Sequence, residues 1–196
     1  MTRRRGARIA GGIVLVIALA WGVMRGLTYL VTPRVVPAAA ANATEAAAGV
    51  AHITATLYYA DGMGTALVPV QREVPLADDT VAQGRAIVNA QLAPPPSPYI
   101  SVVPKGTTLR AFYLTERRDA FVDLSREASA NHPGGSFTEL MTVYAIVNAV
   151  TTNLPIVQRV QILVDGREAD TLAGHVDLRR PLSQDLTLVR ETEAAQ

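Results

Sequence analysis

The chain has 196 residues, room for one ordinary domain with attachments, and its formal net charge of +1 averages two unlike parts. Six of the 18 basic residues lie in the first 34 positions, which hold no acid, and the rest carries 12 basic and 17 acidic residues, a net of −5. That acidic balance argues against nucleic acid, whose phosphates need a concentrated basic face, and the lack of cysteine excludes disulfides, thiolate metal sites, a Cys nucleophile and a lipid-modified Cys within this sequence.

After a basic start over residues 1–8, Ile9 to Met24 is uncharged and strongly apolar, and Gly26 to Val31 extends it. Sixteen residues make roughly 24 Å of helix, somewhat short of a ~30 Å hydrocarbon core. Counting through Val31 spans it, with Arg25 snorkelling at one interface and Trp21 and Tyr29 as belt residues. Residues 9–31 are therefore expected to be a transmembrane anchor in the cytoplasmic (inner) membrane. The arginines before it place the N-terminus in the cytoplasm and the rest across the membrane. A cleaved signal peptide ending near Val36 to Ala41 is the rival reading. Residues 32–50, rich in Ala and Pro, have too little to bury and read as a spacer.

A domain is expected over residues 51–182. Ile53 to Tyr59 alternates as a strand does, and Leu67 to Val74 follows as a second, with Pro69 marking a sheet edge because it cannot donate to a ladder. A helix runs from Asp79 to about Ala93, capped by Asp78 or Asp79, with Val81, Val88 and Leu92 as its stripe. Thr107 to Leu114 and Ala120 to Leu124 read as strands joined by a charged hairpin. The long helix Ser136 to Leu154 places Phe137, Leu140, Met141, Tyr144, Val147, Val150 and Leu154 on one face, and Ser136 with Glu139 reads as a capping box. Val157 to Val164 is a strand entering the Asp165-Gly166 hairpin. A last short strand is expected within Gly174 to Leu182, followed by a polar tail over 183–196. Helices this few argue an α+β fold, a two-layer sandwich with one mixed sheet and two helices on one face, preceded by the transmembrane helix.

The order and wording of these pieces resemble the GerMN domain, found in sporulation and spore-germination proteins. The matching marks are Leu67 to Arg72, Val103 to Leu109, Phe121 to Ser125, Tyr144 to Val150, Val160 to Gly166 and Gly174 to Leu178. The resemblance implies an extracytoplasmic, non-enzymatic domain of bacterial envelope proteins, similar in fold to the ring-building modules of sporulation channels. This chain differs in carrying one copy, where the founding protein has two, and in having no lipoprotein cysteine.

No residue is expected to be catalytic and no cofactor or metal is expected. His175 and Asp177 would lie on one side of a strand and could ligate a metal, but with only His52 and His132 elsewhere the ligands are too few, and a hydrogen-bonding role is preferred. Asp123 and Ser125 read as polar groups closing a strand end, since no Gly-x-Ser-x-Gly turn serves a Ser nucleophile. Asn148, within an apolar helix, is expected to bond a neighbouring loop's backbone. Arg117, Arg118, Arg179 and Arg180 could meet anionic wall polymers or simply face solvent. The expected function is an interaction module in the envelope, in sporulation, germination or cell-wall processes, binding a protein partner, itself or peptidoglycan. The alternatives are a peptidoglycan-active hydrolase or a small-ligand-binding envelope protein.

Overall fold

The computed structural model describes residues 51–190; the expected anchor and spacer, and the last six residues, lie outside them. Among the described residues, no helix is long and apolar enough to cross a membrane.

Strands β1 (His52–Ala60) and β2 (Leu67–Pro75) pair antiparallel along their whole length. Helix α1 (Thr80–Leu92) follows, then β3 (Leu109–Leu114), β4 (Asp119–Leu124), a one-turn helix α2 (Glu127–Ala130) and the long helix α3 (Ser136–Asn153). β5 (Arg159–Val164), β6 (Arg167–Glu168) and β7 (Leu182–Ser183) complete the chain. The fold is α+β, but the strands divide into two sheets, not the single mixed sheet expected. β1 and β2 stand apart from a five-stranded sheet in the order β3-β4-β5-β6, with β7 also on β5. Only β4 and β5 run parallel, and α3 makes that crossover. Asp165 and Gly166 have φ of 55° and 77°, and turn β5 into β6 as the Asp-Gly pair requires.

The core lies where α1 and α3 pack on each other and on β1, with α1 reaching β3 and α3 reaching β5. Leu57, Tyr59, Leu67, Ile87, Phe112 and Ile146 are among its fully buried side chains. Gly84 of α1 sits on the Phe112 ring, so close that a Cβ there would lie 2.4 Å from ring carbons.

How β1 survives outside the larger sheet follows from the ladder. Its odd residues pair with β2, so the backbone of Thr56, Tyr58 and Ala60 points away. The Asn153 amide accepts from Thr56 N–H at 2.8 Å and donates to Thr56 C=O at 2.7 Å. Gln91 does the same to Tyr58, at 2.9 and 2.7 Å, and Ile100 backbone exchanges both bonds with Ala60. Two helical amides and one loop residue thus stand in for a missing strand. On the far edge, Leu67 is paired by Leu188 and Arg190, and Pro69 and Pro75 occupy outward positions where no N–H is left open. Pro69 is the edge residue its chemistry predicts.

Three sequence expectations fail here. No capping box forms: Gly135, at φ 89°, is the N-cap, no side chain caps α3, and Glu139 points elsewhere. Of the expected stripe Met141, Val147, Val150 and Leu154 are buried, but Phe137 is 43% exposed and Leu140 and Tyr144 are only half-buried, because α3 is enclosed on several sides and buries Val143, Ala145, Ile146 and Ala149 as well. Val81 is likewise exposed on α1. Finally, residues 174–180 form no strand; the strand is Leu182–Ser183, and the chain after it is no free tail. Leu188 and Val189 pack on the core, and Arg190 bridges to Asp61 at 3.1 Å.

Candidate functional site

The predicted polar residues do not converge; each holds a separate piece of backbone. Asp123, in β4, accepts from Gly166 N–H at 2.8 Å and from Arg110 Nε at 3.3 Å, and so pins the β5–β6 turn; Arg110 also pairs with Asp165. Ser125 Oγ accepts from Thr108 N–H at 3.0 Å while its own N–H donates to Thr108 C=O, extending the β3–β4 pairing past its end. Asn148 is fully buried, donates to Asp185 C=O at 2.6 Å and accepts from Asp185 N–H at 3.0 Å. It bonds a loop's backbone, as its setting in an apolar helix predicts.

His175 and Asp177 do not share a strand face. They belong to a loop closed by Leu178 N–H donating to Asp170 C=O. Asp177 forms a two-pronged pair with Arg179, at 2.9 and 2.8 Å, and those hydrogen bonds hold its carboxyl far below the ordinary range. Both are largely exposed, so the pair adds little stability. His175 Nδ1 lies 3.2 Å from Glu139 Oε2.

Glu139 is the residue sequence reasoning misplaced. Its side chain is completely buried, yet it carries a carboxylate into the core. Oε1 accepts from Leu172 N–H at 2.8 Å and Ala173 N–H at 2.9 Å, and Oε2 accepts from His175 N–H at 2.8 Å. Burial works to raise its pKa, but the N–H groups of Ala173, His175, Leu172 and Val176 outweigh it, holding the carboxyl below its ordinary 4.5. Nearby, His132 accepts from Gly134 N–H, and burial lowers its pKa. An acid within an otherwise largely apolar helix was the available signal.

The concave surfaces lie elsewhere, on both sides of the segment Tyr99–Lys105. One hollow of about 510 Å³ is walled by Leu92, Pro94, Pro95, Ile100, Val103 and Pro104, with Lys105 and Thr107 among its polar lining. The other, about 430 Å³, shares Ile100, Val103, Pro104 and Lys105 and adds Pro133 and Met141. Ile100 is 47% exposed between them. Exposed Met63 and Phe137 are the chain neighbours of Gly64 and Thr138, which line the second hollow. Apolar walls of this size with a few polar groups at the rim are the ordinary form of a binding site. Among the described residues, no cluster of His, Cys, Asp and Glu is fit to hold a metal ion.

No curated protein matches the chain. Among solved structures, the first GerMN domain of the sporulation protein GerM from Bacillus subtilis matches with a TM-score of 0.53 and 18% identity, over 67% of this chain and 97% of that one. The tandem GerMN domains of the same protein match with a TM-score of 0.50 and 18% identity, over 69% of this chain and 46% of theirs. The match thus spans about half of the tandem structure, the extent of one domain. The family model Germane, described as sporulation and spore germination, matches residues 56–170, more than half of this sequence. The chain belongs to the Germane (GerMN) family of sporulation and spore germination.

Proposed function

We propose that this is a non-enzymatic protein of the bacterial cell envelope, held in the membrane by residues 9–31, whose domain serves as an interaction module in sporulation, germination or wall processes. One contrast carries the reading. The polar groups with chemical potential, Glu139, Asp123, Ser125 and Asn148, are each spent on closing backbone inside the fold. Two hollows among the described residues have mainly apolar walls and share Ile100. Rigid polar commitments and a preformed apolar face suit binding better than turnover. Family membership and the charge asymmetry of the first 34 residues supply the envelope setting.

The test pairs two assays on the full chain. Pull-down on purified cell wall and on candidate envelope proteins should retain the chain, and retention should fall in Ile100→Asp, which is exposed and not expected to unfold the domain. Zymography on peptidoglycan gels should show no clearing. Clearing that vanishes in Asp123→Ala or His175→Ala would replace this reading with the hydrolase alternative.

A further inference from the structure

We propose that the first hollow and the turn that lines it receive the C-terminal carboxylate of an apolar peptide. The turn is Pro104 to Thr107, closed by Thr107 N–H donating to Pro104 C=O at 3.2 Å, with Gly106 at φ 86°. A positive φ at the third turn position is the signature of a type II turn and needs Gly there. Lys105 is the only lysine of the chain, among 17 arginines. Five of the eleven described arginines are paired with acids; Lys105 is exposed, has no ion pair among the described residues, and is the one cation that lines either of these two hollows. No Asp or Glu lines either hollow, although the described residues carry more acids than bases.

Beside it, Thr107 is 8% exposed, and its Oγ1 is the one buried side-chain polar atom without a hydrogen-bond partner among the described residues. Such orphans are rare in folded proteins. Thr107 lines the first hollow, and a turn about χ1 lets its hydroxyl and methyl exchange places. One ammonium and one hydroxyl in the lining of a mainly apolar hollow match one negative charge on an apolar body. A lone lysine neutralises a single carboxylate, and no arginine, whose fork grips phosphate with two donors, lines either hollow. A volume of about 510 Å³ suits a few small residues of a peptide, as in the recognition mode that captures a chain end.

This assignment narrows the interaction reading and rests on it. The probe is acetyl-Ala-Ala-Ala-Leu-Ala with a free carboxylate, set against the same peptide as its C-terminal amide and against decanoate. Binding is read on the full chain in detergent by calorimetry. A second readout is protection of Lys105 from amine acylation, which mass spectrometry reports without ambiguity because no other lysine competes. The free acid should bind about three- to fivefold more tightly than the amide, the upper range for an ion pair to an exposed lysine. Lys105→Met, which keeps the stem and removes the charge, should bring that ratio to about one, and Thr107→Val should weaken the acid several-fold with an unchanged far-UV spectrum. Equal binding of acid and amide, an acylation rate indifferent to peptide, or decanoate protecting as well as the peptide would each overturn the proposal. Wall or partner retention that persists after such a result would leave the broader reading standing, since it does not depend on Lys105.

Discussion

Replacing Glu139 by Gln tests whether a buried carboxylate holds the 170–178 loop. The amide can be placed two ways. With its oxygen toward Leu172 and Ala173, its NH2 faces the N–H of His175; reversed, it faces two donors in place of one. The better placement leaves at least one buried donor unpaired, at ~1–3 kcal/mol, and strips the charge from two further bonds, at about 1 kcal/mol each. The sum is about 3–5 kcal/mol, or a melting point lower by roughly 10–17 °C for a domain of this size. The sign with pH follows from the depressed carboxyl. Its contribution is fully present above the ordinary value of 4.5 and is lost as pH falls through the lower folded-state value. His132, lowered by burial, also favours the folded state at higher pH, but its window opens near 6.5. Thermal unfolding of the full chain, followed by circular dichroism at pH 7 and at pH 3, should show a large gap between wild type and variant at pH 7 that narrows at pH 3. A variant melting within about 2 °C of wild type at pH 7 would refute the argument.

Gln91→Leu keeps the side chain's size but removes both bonds to the Tyr58 backbone, and should cost ~2–5 kcal/mol; native-state hydrogen exchange should show the Tyr58 amide losing its protection. Gly84→Ala raises helix propensity yet should destabilise by ~1–3 kcal/mol, because the new methyl meets the Phe112 ring; a more stable variant in urea would contradict the packing described. Phe137→Ala should change stability by less than about 1 kcal/mol, since the ring is half in solvent, whereas Ile146→Ala should cost ~2–5 kcal/mol. Urea titration of the two variants side by side separates these cases.

Local signals survived into the structure where local chemistry decides them. Asp165-Gly166 made its hairpin, Pro69 its edge, Asp79 its cap, accepting from Ala82 N–H at 2.8 Å, and Asn148 its loop contact. The failures share a cause, which is that tertiary partners overrode a pattern valid for isolated elements. Glu139 stands three residues after Ser136, as a capping box demands, but a loop over thirty residues later offers it three donors instead of one. The α3 stripe misled because a helix enclosed on several sides has no single apolar face, so Phe137 could sit outside while Thr142 was buried. The split of the sheets was invisible because the surrogates that cover β1 are amides from two distant helices. The hollows were invisible for a related reason: Pro94, Pro95 and Lys105 are loop residues whose convergence only the fold creates.

The account stands or falls on whether the surface around Ile100 meets a partner in the cell. A photo-reactive amino acid placed at Ile100, and separately at Arg117 on the β3–β4 hairpin, should be irradiated in intact cells producing the full chain. A discrete adduct at Ile100, diminished by Lys105→Met and missing from Arg117, is the predicted result; no adduct at Ile100, or the same adducts at both positions, would contradict it.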